Sequence, residues 1–156
     1  MQNLKRKGWY NLRIVIDTNI LFSYFWKESI IKMIIELNIF ELYAPEFAFT
    51  ELNNHKSEII SKTKATEKEY NQLIKELEQK INIVEPTKYS IELKQITSLP
   101  DINDIEFIAL AISLDKILWT NDSALKNQDY VIILDTKQIF DAIIKLNKQI
   151  DDKNEM

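Results

Sequence analysis

"LRIVIDTNIL" (residues 12–21) joins an apolar run directly to an acid. Five residues, mostly apolar and β-branched, run into an aspartate, and Thr-Asn follows at once. A continuous apolar run of this length reads as a buried strand, yet it ends on a charge. Two readings of Asp17 stay open at this point. It caps a following helix, or it holds a metal ion.

Working outward, strand-like and helix-like patterns alternate. "FELYAP" (40–45) is a second strand stopped by Pro45, "INIVE" (81–85) a third closed by Pro86, and "KILWT" (116–120) and "VIIL" (131–134) two more. Between them lie helical patterns at 29–40, 46–60, 66–80, 89–96, 104–114 and 136–150. Thr66 and Glu69 have the capping-box spacing, with Leu73 and Leu77 on one face of the helix they open. Strands alternating with helices predict an α/β domain with a mainly parallel sheet. A chain of 156 residues suits one domain, and no linker or repeat divides it. We read residues 1–11 as an N-terminal extension, 12–150 as the domain and "DDKNEM" (151–156) as a frayed tail.

Scarcity excludes whole classes of chemistry. The sequence has no Cys, one His (His55) and one Gly (Gly8). That removes disulfides, thiolate zinc sites, a cysteine nucleophile and the two-His zinc motifs. It also removes the glycine-rich phosphate loops. The net charge of −4 argues against binding nucleic acid by bulk positive charge. It leaves room for an enzyme whose metal ions carry the local positive charge. No apolar run approaches the roughly 18 residues needed to span a bilayer, and "MQNLKRKGWYN" has no apolar core of a signal peptide, so a cytoplasmic location is expected.

Acids fall where such a sheet places a site, beyond the carboxyl ends of its strands. Asp17 follows strand one and Asp122 follows strand four. Asp101 and Asp104 ("LPDINDIEF") stand at the start of the long apolar helix, and Glu51 lies in the helix after strand two. Alone, Asp17, Asp101 or Asp122 reads more simply as a helix cap, Asp104 divides evenly between cap and ligand, and Glu51 reads as a solvated helix position. Together, close carboxylates resist ionising unless a cation joins them. An oxygen-only ligand set selects Mg²⁺ or Mn²⁺. Such ions activate water and stabilise the leaving oxygen in phosphodiester hydrolysis.

The ordered set "IVIDTNIL", "PEFAFTELNNHKSEI" and "DINDIEFIALAISLDKILWTNDSAL" resembles the PIN domain family of metal-dependent ribonucleases, from about residue 12 to 147. The resemblance implies a three-layer fold, a parallel five-stranded sheet flanked by helices with a small helical clip near Glu51. It implies Mg²⁺- or Mn²⁺-dependent cleavage of RNA. It maps the acidic metal site onto Asp17, Glu51, Asp104 and Asp122, with Asn19 and Thr120 as polar supports and Asp101 as a further supporting acid. Many small prokaryotic members are toxins of VapBC-type toxin–antitoxin pairs, inhibited by a partner peptide, and the resemblance points to an antitoxin partner and a homodimer. The basic run Lys5, Arg6, Lys7 falls near the opposite sheet edge and is not assigned to substrate. A PIN-fold RNA-binding or scaffold module with little or no nuclease activity is the alternative, disfavoured because all four acids are present. A DNA flap-type nuclease shares the chemistry, but the chain has no room for added DNA-binding elements.

Other residues have simpler readings. His55, one turn after Glu51, reads as a surface or clip residue. Lys56, Lys62, Lys64 and Lys68 are interleaved with Glu58, Glu67 and Glu69 and read as a mixed solvated surface. Phe22, Tyr24, Phe25 and Trp26 read as core or dimer interface rather than base-stacking residues. Asp135 reads as the cap of the last helix and Asp115 as a turn residue.

Overall fold

The strand β1 (Arg13–Ile16) is the middle of the sheet. Its Ile14, Val15 and Ile16 are fully buried although successive side chains point to opposite faces. Both faces of the sheet are therefore covered at its centre, which is the usual condition of parallel strands. The structure is a computed structural model describing residues 11–99 and 101–155. The residue run 1–10, with Lys5, Arg6 and Lys7, lies outside the described residues.

The remaining strands are β2 (Glu41–Pro45), β3 (Ile81–Val84), β4 (Ile117–Trp119) and β5 (Ile132–Leu134), in the order β3-β2-β1-β4-β5. Every neighbouring pair is parallel. The chain builds outward from β1 through β2 to β3, then crosses back to place β4 on the other side of β1. That reversal makes a switch point between β1 and β4, where open α/β sheets form their ligand crevice at the carboxyl ends of the strands. The pairing of Ile16 with Trp119 sets Asp17 beside Thr120 at that crevice.

Eight α-helices connect and flank the described strands: α1 (Thr18–Ser23), α2 (Ile30–Glu36), α3 (Glu46–Asn54), α4 (Lys56–Thr63), α5 (Glu67–Lys80), α6 (Ser90–Gln95), α7 (Ile105–Ser113) and α8 (Thr136–Asn154). The layered α/β architecture expected from the alternation is the one found. The helix α7 packs across β1, β2 and β4. Its run Phe107–Ala111 is buried all round, as "DIEFIALA" demands of a helix pressed between neighbours. Thr66 and Glu69 form the expected capping box at the start of α5, and Asp135 forms one with Gln138 at the start of α8. No helix among the described residues is long and apolar enough to cross a membrane.

Three expectations are corrected. The helical pattern at 46–60 is two helices, broken at His55, whose φ of −102° and ψ of 15° leave the helical region. Asn53, Asn54 and His55 are weak helix formers, and the His55 ring packs edge-on against Phe22, 5.5 Å between centroids. The final helix runs on to Asn154, through most of the segment read as a frayed tail. Asp115 does more than make a turn. Its carboxylate accepts from the Arg13 backbone N–H at 2.9 Å and from the guanidinium Nη2 at 3.0 Å and Nε at 3.3 Å. The bond to Asp115 in turn raises the Arg13 pKa.

With almost no glycine to spend, the chain uses other residues at left-handed positions. Asn11 and Asn38 have φ of 62° and 57°, and asparagine tolerates this region. Lys64 and Lys116 occupy it too, at φ of 57° and 62°.

The Asp115 contact fastens the amino end of β1, at the edge opposite the acids. Asp115→Ala leaves the Arg13 N–H without that acceptor, at a cost of about 2 kcal/mol. The urea midpoint should fall with an unchanged slope. An unchanged midpoint would show that Arg13 carries no stabilising weight.

Candidate metal centre at the carboxyl edge of the sheet

Asp17 is the first residue past β1 and is only 9% exposed. Both of its oxygens are engaged. Oδ1 accepts from the Ile20 backbone N–H at 2.9 Å, capping α1. Oδ2 accepts from the hydroxyl of Thr120, itself fully buried at the end of β4. The Asp17 N–H donates to the Trp119 carbonyl at 3.3 Å, so the strand pairing continues into the site. Burial pushes the Asp17 carboxyl above its ordinary range; the Thr120 and Ile20 bonds pull it back, and Asp122 pushes it up again.

Thr120 has a second contact. Its Oγ1 accepts from the Asp122 N–H at 3.1 Å, which fixes the turn after β4. Asp122 caps the short 3-10 turn Ser123–Asn127 through Ala124 N–H at 3.0 Å. Asn121 accepts from the Thr136 N–H at 2.9 Å, tying this turn to the start of α8.

On the other side of β1, Glu51 projects from the second turn of α3. Its Oε1 accepts from the Thr18 hydroxyl at 2.8 Å. Thr18, buried in the first turn of α1, was not among the site residues expected from sequence. The signal was its place between Asp17 and Asn19. Asn19 itself is exposed, with its backbone carbonyl accepting from Ser23 Oγ.

Asp101 and Asp104 bracket the 3-10 turn Ile102–Asp104 that leads into α7. Asp101 is exposed and caps that turn through the Asn103 N–H at 2.9 Å. Asp104 differs. It occupies the N-cap position of α7 but makes no side-chain capping bond. It is half-buried, and its carboxyl is pushed up to about 6, first by burial and then by the charges of Asp101, Asp122, Asp17 and Glu51. The cap reading thus holds for Asp17, Asp101 and Asp122 and fails for Asp104. Asp104 sits within the field of the other four acids picked out by sequence. Among the described residues, no three acidic or imidazole side chains are gathered tightly enough to hold an ion as they stand. Asp17 and Glu51 are turned toward protein hydroxyls.

A PIN domain model matches residues 15–130, well over half of the chain and inclusive of all five acids. The chain belongs to the PIN domain family. No curated protein sequence matches it. Among solved structures, VapBC2 from Rickettsia felis bound to a DNA fragment from its promoter superposes with a TM-score of 0.56 at 21% identity. The match covers 80% of this chain and 98% of that one. At this identity the likeness speaks for the fold. PIN domains are generally nucleases that use divalent metals. The donor chemistry of this PIN domain fits such an ion. The acids supply only oxygens; burial and then the like charges around it raise Asp104, and a divalent cation offsets the second of these.

Two substitutions should move stability in opposite directions. Thr120→Val removes the donor to Asp17 and the acceptor of Asp122, and should cost about 1–3 kcal/mol. Asp104→Asn removes a charge that the fold disfavours and breaks no cap, so the metal-free melting temperature should rise. The sign with pH follows. A carboxyl raised in the folded state binds its proton more tightly there than when unfolded, so stability falls as pH climbs from about 4 through about 6. Asp104→Asn should flatten the profile in that window. A variant that melts lower, with an unchanged pH profile, contradicts the electrostatic account.

Proposed function

We propose that this PIN domain is a Mg²⁺- or Mn²⁺-dependent endoribonuclease that hydrolyses RNA phosphodiester bonds in the cytoplasm. The observation that carries the reading is Asp104, an acid at a helix start that caps nothing and is held in the field of four other carboxylates. A structural aspartate in that place would take the cap.

Asp17, Glu51, Asp104 and Asp122 are the residues to hold the ion. When bound, a divalent ion lowers the pKa of a water and offsets charge on the phosphate and the leaving oxygen. The rest falls to the chain. Thr120 holds Asp17 against β4, and the start of α1 fixes its other oxygen. Thr18 sets the rotamer of Glu51. The Asn121 and Thr120 contacts hold the turn that carries Asp122. These bonds leave the acids few ways to relax apart, the preorganisation a charge-stabilising site needs. Asn19 and Asp101, exposed at the rim, are placed to meet water or substrate. The sequence has no Cys and a single His, which suits hydrolysis by water rather than by a protein nucleophile.

The fold shared with a VapBC complex supports a toxin of a type II toxin–antitoxin pair with an antitoxin protein as partner; the homodimer is proposed from the family resemblance alone.

Asp104→Asn should cut RNA cleavage on the order of a thousandfold while the fold persists, since several kcal/mol of charge stabilisation depend on the metal. EDTA should stop cleavage and Mn²⁺ restore it. Millimolar Mn²⁺ should raise the melting temperature of the wild type and raise that of Asp104→Asn less. Full activity in Asp104→Asn, or no thermal response to Mn²⁺, would favour a scaffold with a degenerate site.

A further inference from the structure

One face of α1 leads away from the acids. Thr18 and Phe22, spaced i and i+4, share a face of α1, and Phe22 and Trp26 line one small hollow with Ile59. Thr18 touches Glu51, and Phe22 packs on His55, one turn after Glu51. Trp26 is 40% exposed and opens into a cavity of about 930 Å³ between the α1–α2 connection and the α4–α5 connection. Trp26 lies three residues past the end of α1, nine after Asp17 in the chain.

The cavity is basic on a protein that is acidic overall. Lys27, Lys32, Lys62, Lys64 and Lys68 line it, against Glu28 and Glu69. Lys27, Lys64 and Lys68 are exposed and form no ion pair among the described residues. Lys32 lies over the Tyr24 ring at 5.3 Å, and Lys62 pairs with Glu58 at 2.6 Å. Glu69 is held in the capping box with Thr66. The wall beneath is packed and buried. Phe25 stacks on buried Tyr70 at 5.2 Å, and Tyr24 donates to Glu76 at 3.1 Å. Unpaired lysines beside one exposed aromatic on a firm base are the components of a surface for single-stranded nucleic acid, where lysines follow phosphates and the ring takes a base.

We propose that this groove is the track of a single-stranded RNA, holding the strand a few nucleotides from the bond presented to the acids. The track rests on the ribonuclease reading and gives that site its extended substrate contact. An acidic peptide fits the charge as well; the exposed indole standing among lysines outside any ion pair favours a base beside its phosphates.

The test is fluorescence anisotropy of labelled U12 binding to the full-length Asp104→Asn protein across a salt series, alongside wild-type cleavage assays. Lys27→Gln/Lys64→Gln/Lys68→Gln should weaken binding by about tenfold or more and lower the salt slope by about 2, near 0.7 for each lost phosphate contact on a single strand. Arginine at the same three positions should restore both. Trp26→Leu should weaken binding about fivefold or more and abolish the quenching of tryptophan fluorescence by U12. Thermal melts check that each variant is folded, and the arginine set reports the same charges in a second background. Unchanged affinity and slope in the glutamine variant overturn the track, as does absence of U12 binding. If a poly-glutamate peptide alone depends on the three lysines, the groove is a protein-docking surface and the track is wrong. The two readings fail separately. Lysine-dependent U12 binding without metal-dependent cleavage defeats the nuclease and keeps the track, whereas metal-dependent cleavage indifferent to the lysines does the reverse.

Discussion

The hydrogen bond from Thr120 to Asp17 joins the two strands on which the site is built. It can form because β1 and β4 are parallel neighbours, in register so that Ile16 lies beside Trp119. Each strand ends one residue later, one in an acid and the other in a hydroxyl. The same hydroxyl receives the Asp122 N–H, so one buried threonine sets the positions of two acids. The apolar character of β1 and β4 serves this arrangement. Ile14, Ile16, Leu118 and Trp119 are fully buried and hold the strand ends rigidly at the crevice.

The arrangement has an electrostatic cost. Asp17 is desolvated and Asp104 is surrounded by like charge. Proteins commonly tolerate such local disadvantage where activity requires it. Here the bonds that keep Asp17, Glu51 and Asp122 in place also keep their charges near Asp104. Thr120 and Thr18 are therefore both stabilising contacts and the reason the repulsion persists. The amino edge of the same sheet shows the opposite design, with Asp115 matched to Arg13 and the charges paired.

Much of this was legible in the sequence because strand ends and acids coincide in it. Alternating periods gave the α/β class, and the rule for open parallel sheets brought Asp17 and Asp122 to one edge. What stayed hidden depends on contacts between distant segments. The break at His55 reflects packing on Phe22, which no local pattern in "LNNHKS" announces. The role of Thr18 depends on α3 lying alongside α1. The lysine groove was masked by interleaved glutamates. In the fold each acid has a local partner, Glu67 in Lys56, Glu69 in its capping box, and Glu58 in His55 and the groove's own Lys62, which leaves Lys64 and Lys68 outside any ion pair among the described residues. Lys27 and Lys32 join the others only through the tertiary approach of two loops. The aromatic run divided in the same way. Tyr24 and Phe25 went to the core, while Trp26 was left at the surface.

The central claim is that these acids are arranged for a divalent cation. The most direct measurement is anomalous diffraction from crystals of the wild-type protein soaked in Mn²⁺. The account predicts a manganese peak at the carboxyl edge of β1 and β4, with carboxylate oxygens of Asp104 and Asp17 about 2.1 Å from it. A crystal saturated with Mn²⁺ that shows no peak there, with Asp17 still bonded only to Thr120 and the start of α1, would contradict it.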